Sequence, residues 1–228
     1  MSYVNEIARA FAQPERVRGG SARLTAEFVA FYLLVPVLFA VFVPSHYLFP
    51  ALFAFMAVGL VLLHFSPGFS WRTLLWSRPD LGFVAGVGVL STLGIAAAVL
   101  WLRLEAFLGL PRHNPRLMAA IALFYPLLSA LPQELVFRVL YFRRYDPILP
   151  KSTAGMWLNA GVFSLAHLMY WNWVAVGITF VGGLAFAFGY KRRGGFATAF
   201  LLHAVTGLVL FALGLGAWFY SGAVVRPF

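Results

Sequence analysis

The sequence contains no cysteine, and only seven of its 228 residues are acidic. Without cysteine the chain can form neither a disulfide bond nor a thiolate metal site. Charged residues make up 11% of the chain, whereas an ordinary soluble domain carries about 25%. Hydrophobic residues make up 62%. So few charges could not cover a water-soluble surface of this size, and the composition therefore predicts a membrane protein.

Basic residues outnumber acidic ones, which gives the chain a net charge of +10. Such an excess can indicate nucleic-acid binding, but no basic run in this sequence is long enough to favour that function. Membrane proteins retain Lys and Arg in their cytoplasmic loops. We therefore expect the lipid bilayer, and no nucleic acid, as a partner of this chain.

Long apolar runs dominate the sequence, and a helix needs about 20 such residues to cross a hydrocarbon core of about 30 Å. The predicted spans are residues 26–43, 47–63, 81–102, 117–143, 153–170, 174–190 and 196–219. Pro126 and Pro132 lie within the fourth run, so we expect a kink or a break near Pro132. The predicted fold class is all-α: a polytopic transmembrane helical bundle of about seven spans, or eight if that helix breaks.

Four polar residues inside these runs form a candidate site. Glu134 and Arg138 are four positions apart, so they share one helix face. The pair could serve only to fix helix packing. However, a buried ion pair gains little stability on average, so two charges kept in a chain with so few charged residues favour a function. His167 and His203 lie in two later runs. Either histidine alone would be unremarkable, but together with the pair they predict a functional site on three helices.

The chemistry available to this set is hydrolysis. A carboxylate among apolar residues can act as a general base near neutral pH, so Glu134 could take a proton from water. His167 and His203 could polarise a carbonyl and stabilise the oxyanion, while Arg138 holds the carboxylate by a charge-assisted hydrogen bond. Alternatively, the glutamate and both histidines could bind zinc or another divalent metal. We expect no cofactor to be required, because no histidine pair has metal-binding spacing on one helix.

Three motifs, in the order in which they occur along the chain, resemble those of the CAAX prenyl protease and bacteriocin-processing family of intramembrane proteases. Gln133, Glu134 and Arg138 match its Glu-Glu-x-x-x-Arg motif with one change. Phe163 and His167 match its Phe-x-x-x-His motif, and a histidine at 203 matches its third. The resemblance covers roughly residues 117–215. It implies an intramembrane endopeptidase, glutamate- or metal-dependent, that acts on a membrane-associated peptide or protein.

Two positions depart from the family pattern. Gln133 stands where the family has the glutamate usually assigned to water activation, and an amide cannot act as a base. Gly207 stands where the family has Asn or Asp, four residues after His203. We therefore assign the base to Glu134 and expect Gln133 to hydrogen-bond substrate or water. The alternatives are a catalytically inactive relative, acting as a membrane binding or regulatory protein, and a transporter with charges along its path.

The pattern also predicts how the chain is divided and oriented. We expect a cytoplasmic tail at 1–25, membrane helices and connectors at 26–116, a catalytic helical core at 117–220 and a C-terminal tail at 221–228. With the N-terminus inside, the inner segments hold most of the Lys and Arg residues, which is the usual distribution. We expect a multi-pass protein of a bacterial inner membrane with a cytoplasmic N-terminus.

Overall fold

The computed structural model describes residues 14–67, 69–75, 77–220, 222 and 224–226. All regular elements in these residues are helical, with no strand among them, and the predicted all-α membrane bundle is confirmed. Residues 1–13 of the predicted N-terminal tail lie outside the described residues. So do residues 221, 223, 227 and 228 of the predicted C-terminal tail.

Nine helices form the described part of the chain. They are α1 (Pro14–Val29 and Val35–Phe42, joined by the π-helical turn Ala30–Leu34), α2 (Leu48–His64), α3 (Trp71–Leu75), α4 (Leu81–Leu102), α5 (Gly109–His113), α6 (Pro115–Arg144), α7 (Ala154–Ala166), α8 (Trp173–Arg192) and α9 (Gly195–Leu213). Short 3₁₀ turns follow several of them, including His167–Tyr170 directly after α7.

Five of these helices are long and apolar enough to cross a membrane. They are Gly20–Phe42 within α1, α4, α6, α8 and α9. The remaining two predicted spans are also helical but shorter, since α7 has 13 residues and the apolar part of α2 is Phe49–His64. The protein is therefore an integral membrane protein that passes the bilayer several times.

Helix α1 begins well before the predicted first span. Residues 14–25, which we had assigned to the tail, form its first turns. The charges of this stretch exclude it from hydrocarbon but do not oppose helix formation. Glu27, an acid within the first apolar run, is paired: its carboxylate accepts hydrogen bonds from Arg144 (Nη2–Oε2 2.8 Å) and from the Tyr145 hydroxyl (2.7 Å). These contacts join α1 to the end of α6.

Helix α6 runs unbroken through Pro132, and every one of its residues is described, so the break that would have given an eighth span is absent. Two π-helical turns flank the proline, Pro126–Ala130 and Leu135–Leu140. A π turn pairs each N–H with the carbonyl five residues back and widens the helix. It thereby accommodates prolines that lack a donor and crowd the preceding turn.

Close helix packing surrounds the centre of α6. Tyr32 on α1 is wholly buried, with its ring against Phe137 and Tyr141 of α6 at centroid distances of 5.7 and 5.5 Å. Gly183 brings α8 against α7, because a Cβ there would lie 3.2 Å from the Cα of Ala160. Small residues that let backbones approach are the usual means of joining helices in a membrane. The described helices thus enclose the middle of α6.

Candidate active site

Glu134 is wholly buried in the middle of α6. Its Oε1 lies 2.8 Å from Nδ1 of His203 on α9, and its Oε2 lies 3.4 Å from Nε of Arg138, one turn along α6. The carboxylate therefore joins two helices, with an imidazole on one side and a guanidinium on the other. The sequence placed Glu134 beside Arg138 correctly, but only the structure shows the contact with His203.

Arg138 is also wholly buried, and its contact with Glu134 is an ion pair without hydrogen-bond geometry. In the described part of the chain, none of its three guanidinium nitrogens has a hydrogen-bond partner. The charge-assisted hydrogen bond that we predicted is therefore not formed. The guanidinium lies instead over the ring of Phe163, 4.4 Å from its centroid, and 5.5 Å from that of Phe186. Aromatic faces stabilise a desolvated cation in this arrangement.

Two side chains from other helices fix the π-helical turn that carries Arg138. The Tyr32 hydroxyl donates to the carbonyl of Val136 (2.7 Å), and Asn159 Nδ2 donates to that of Phe137 (2.6 Å). Both donors are fully buried. We did not identify either residue from the sequence. Asn159, an amide inside an apolar run, carried the signal that could have found it.

The hydrogen bonds of the two histidines define which ring nitrogen is free. His203 Nδ1 faces the Glu134 carboxylate, and His167 Nδ1 lies 2.8 Å from the carbonyl oxygen of Phe163. An ionised carboxylate and a carbonyl can only accept, so both hydrogens sit on Nδ1. In the neutral rings, Nε2 then holds a lone pair. Both histidines are consequently proton acceptors at Nε2, whereas the carbonyl-polarising role predicted for them would need a hydrogen there.

The site borders a large apolar cavity of about 980 Å³. Gln133, His167 and His203 line this cavity, but Glu134 and Arg138 do not. His167 and His203 are buried against the protein, with 9% and 5% of their surfaces exposed, so neither histidine faces lipid freely. Glu134 thus reaches the cavity only through His203, which both touches the carboxylate and lines the wall.

Gln133 points to the cavity side of α6, next to Glu134 in sequence but separate from it in space. Its Nε2 donates to Ser129 Oγ at 2.9 Å. Its Oε1 is buried and finds no hydrogen-bond partner among the residues described here. Buried carbonyl oxygens are seldom left unpaired. The orphaned oxygen is suited to accept a hydrogen bond from a molecule in the cavity, in keeping with the role predicted for Gln133.

Gly207 has no side chain to offer, and Tyr125 fills the space beside it. A Cβ at position 207 would overlap the ring and hydroxyl of Tyr125. Tyr125 lines the cavity, and its ring lies 6.0 Å from that of His203. Where the family motif has the side chain of Asn or Asp, this chain thus has the phenol of a residue on α6.

The arrangement does not fit a divalent metal ion. Within the described ranges, no group of three or more His, Cys, Asp or Glu residues stands close enough to hold one. The Glu134 oxygens already face an imidazole and a guanidinium, so the carboxylate is not free to join the histidines around a metal ion. The alternative ligand set of Glu134, His167 and His203 is therefore not assembled, and we derive no step through a metal.

Comparison with known proteins shows what the segment that holds the site is similar to. Residues 115–209 match the model of the Rce1-like family, described as type II CAAX prenyl endopeptidase Rce1-like. No curated protein and no solved structure gives a significant match. The matched segment begins with α6 and ends within α9, so it contains all five predicted site residues. The resemblance inferred from the three motifs is thus confirmed as a family-model match over residues 115–209.

Proposed function

We propose that this chain hydrolyses a peptide bond of a membrane-associated substrate, with Glu134 and His203 acting together as the proton acceptor. The observation that carries the proposal is the 2.8 Å contact between Glu134 Oε1 and His203 Nδ1, at the wall of an apolar cavity. A carboxylate that orients a histidine and stabilises its charged form is a recurrent catalytic arrangement. Glu134 keeps the essential role predicted for it, but it acts through His203.

The proposed reaction begins with a water molecule beside His203 Nε2. The water oxygen bonds to the carbonyl carbon, its proton moves to Nε2, and the π electron pair of the carbonyl moves onto the carbonyl oxygen. Glu134 stabilises the imidazolium that forms. When the tetrahedral intermediate collapses, the C–N bond breaks and the proton on Nε2 passes to the leaving nitrogen. The products are a carboxylic acid and an amine, as hydrolysis requires.

Neighbouring residues support this sequence of steps. Arg138 places a cation 3.4 Å from the Glu134 carboxylate, and opposite charges at this distance attract. An ionised carboxylate in turn keeps the hydrogen of His203 on Nδ1 and the lone pair on Nε2. We assign to His167, which has its own Nε2 lone pair and lines the same cavity, the role of a second acceptor for the attacking water. The unpaired Oε1 of Gln133 accepts from the substrate backbone or from water.

The substrate follows from the lining of the cavity. Apolar side chains dominate the wall, and the polar groups near Gln133 and the two histidines are few. A site of this kind takes an apolar ligand and uses a few polar groups to orient it. We propose a peptide held to the bilayer by a hydrophobic segment or a lipid. No metal or other cofactor takes part in the proposed chemistry.

The test uses the full chain reconstituted in lipid vesicles with a library of transmembrane and membrane-anchored peptides. Mass spectrometry of the products identifies the cleaved bond. We expect cleavage by the natural protein, the same rate in the presence of a chelator, and no cleavage by His203→Ala. Loss of activity on chelation, with recovery on adding back a divalent metal, would contradict the metal-free mechanism. Full activity of His203→Ala would contradict the acceptor pair.

A second candidate is the catalytically inactive relative, a membrane binding or regulatory protein. The observation that favours it is the amide at position 133, the cavity-facing neighbour of a glutamate that has no exposed surface. Such a protein would bind a membrane-anchored peptide without cleaving it. Retention of intact peptides by the natural protein, with unchanged retention in His203→Ala, would support this candidate over the enzyme.

The orientation is a further part of the proposal, with the N-terminus in the cytoplasm of a bacterial cell and the helices in its inner membrane. The absence of native cysteine makes the test simple. His46 and Lys191 are exposed and lie on opposite sides in the proposed topology. In intact cells, His46→Cys should react with a membrane-impermeant thiol reagent and Lys191→Cys should not. The reverse pattern would invert the topology.

A further inference from the structure

Tyr125 stands beside the proposed acceptor pair and is not explained by the three motifs. It lies on α6, lines the cavity, and places its ring 6.0 Å from that of His203. Its hydroxyl and ring occupy the space where a side chain at position 207 would begin, four residues after His203 on α9. Only a glycine at 207 admits the tyrosine in this position. Gly207 and Tyr125 therefore form one packing unit next to His203.

The hydroxyl of Tyr125 is free to donate. Across the described residues it makes no hydrogen bond, although its ring packs against His203 and Phe211. Two threonine hydroxyls on the cavity wall are already engaged: Thr206 donates to the carbonyl of Leu202 and Thr179 to that of Ala175, each at 2.8 Å. Tyr125 thus presents an unpaired neutral donor to the cavity, with its ring 6.0 Å from that of His203.

Such a donor is what the site otherwise lacks. When water attacks a peptide carbonyl, negative charge develops on the carbonyl oxygen, and donors aimed at that oxygen lower the barrier. The Nδ1 hydrogens of His167 and His203 are committed to Phe163 and Glu134. The neutral His167 ring therefore offers a lone pair at Nε2, which would repel an oxyanion, and His203 Nε2 is engaged in accepting the water proton. A further hydrogen-bond donor to the oxyanion must come from another residue.

We propose that Tyr125 is a further catalytic residue, whose hydroxyl donates a hydrogen bond to the substrate carbonyl oxygen as it becomes the oxyanion. The assignment rests on the proposed function. Tyr125 keeps its proton throughout, while the water proton goes to His203 Nε2 and later to the leaving nitrogen. The phenol stabilises the charge on the carbonyl oxygen and takes no part in bond breaking.

Tyr125→Phe removes the hydroxyl and keeps the ring that packs on Gly207. In the reconstituted full chain we expect kcat to fall about 10²–10³-fold, the usual loss for one oxyanion donor, with little change in KM. Tyr190→Phe is the matched control, because Tyr190 lies outside the cavity wall and stacks on Phe142. It should leave both constants unchanged. Thermal unfolding of Tyr125→Phe in lipid should match the natural protein, which would separate a catalytic loss from misfolding.

Tyr170 provides the competing assignment. It also lines the cavity and lies near His167, at a ring distance of 6.0 Å. It does not contact Gly207 in the way Tyr125 does. A larger loss of kcat in Tyr170→Phe than in Tyr125→Phe would overturn the proposal. A kcat of Tyr125→Phe within threefold of the natural value would overturn it as well.

A double-mutant cycle with Gly207→Ala tests the packing unit. The added Cβ displaces the Tyr125 hydroxyl, so Gly207→Ala alone should lower kcat by at least tenfold. In the Tyr125→Phe background the donor is already lost, so Gly207→Ala should cost little more. Non-additivity of this kind reports coupling between neighbouring residues. Additive losses would show that position 207 acts independently of the hydroxyl and would contradict the proposal.

The natural protein separates the two levels of inference. If it cleaves peptides and Tyr125→Phe is equally active, the proposed function stands and the role of Tyr125 falls. If the natural protein cleaves nothing in the library while it is folded and binds the peptides, the proposed function fails and the role of Tyr125 fails with it.

Discussion

Replacing Glu134 with glutamine is the perturbation whose effect follows most closely from the structure. The substitution keeps the shape of the side chain but removes its charge. The amide can donate to Nδ1 of His203, which moves the ring hydrogen to Nε2, where the water should give up its proton. Loss of the correct tautomer through a carboxylate-to-amide change lowers kcat by about 10⁴-fold in a comparable arrangement. That factor corresponds to about 5.5 kcal/mol in the barrier.

Stability should change as well, for a separate reason. Glu134→Gln leaves Arg138 as a buried cation without its carboxylate 3.4 Å away. Removing one partner of a buried ion pair costs about 3–5 kcal/mol. Replacing Arg138 with methionine at the same time removes the unpaired charge. The double variant Glu134→Gln/Arg138→Met should therefore recover most of the stability and none of the activity.

The assay is peptide cleavage in lipid vesicles, with unfolding of each variant measured in the same lipid. The single variant should be both inactive and less stable, and the double variant inactive at near-native stability. Cleavage by Glu134→Gln within tenfold of the natural rate would refute the role of the carboxylate. Recovery of activity in the double variant would show that the loss arose only from destabilisation.

Three further substitutions test the surroundings of the pair. Arg138→Lys should destabilise the protein by about 2 kcal/mol, because a hydrated ammonium replaces a guanidinium that lies over Phe163 in a desolvated site. The stability is measured by unfolding in lipid, and equal stability would show that only the charge matters. Asn159→Val removes the donor to the Phe137 carbonyl and should lower the free energy of unfolding by about 0.6–1.7 kcal/mol, the range for hydrogen bonds between membrane helices. Cleavage should persist, and its loss at full stability would contradict a purely supporting role. Glu27→Gln should weaken the contact between α1 and Arg144 and lower the unfolding temperature without changing the cleaved bond, and a shift of the cleavage site would refute that separation.

The sequence predicted the membrane bundle because hydrophobic runs report directly on helices in a bilayer. At Pro132 it allowed for a kink or a break, and of these two the break is absent. Two π-helical turns flank that proline and accommodate it within one helix, and the spacing of a single run of residues does not reveal them. The second turn, Leu135–Leu140, carries Arg138 and the carbonyls that Tyr32 and Asn159 bind.

The site was predicted in its members but not in its contacts. Helical spacing places Glu134 beside Arg138, and the charge scarcity of the chain marks both as unusual. The spacing of residues along the helix does not show which side of α6 faces the cavity, so the direct contact of Glu134 with water remained a prediction. The geometry favours His203 as the group that contacts the water. Tyr125 gave no sequence signal, because it is one of nine tyrosines in an apolar chain that also contains 24 phenylalanines.

The central claim is that the natural protein is an enzyme although it has glutamine at position 133. Its most direct test compares peptide cleavage by the natural protein and by Gln133→Glu, side by side in the same vesicles. The account predicts that the natural protein cleaves and that Gln133→Glu also cleaves, because Glu134 and His203 form the proton acceptor in both proteins. An inert natural protein that gains activity on Gln133→Glu would place the base at position 133 and contradict the account.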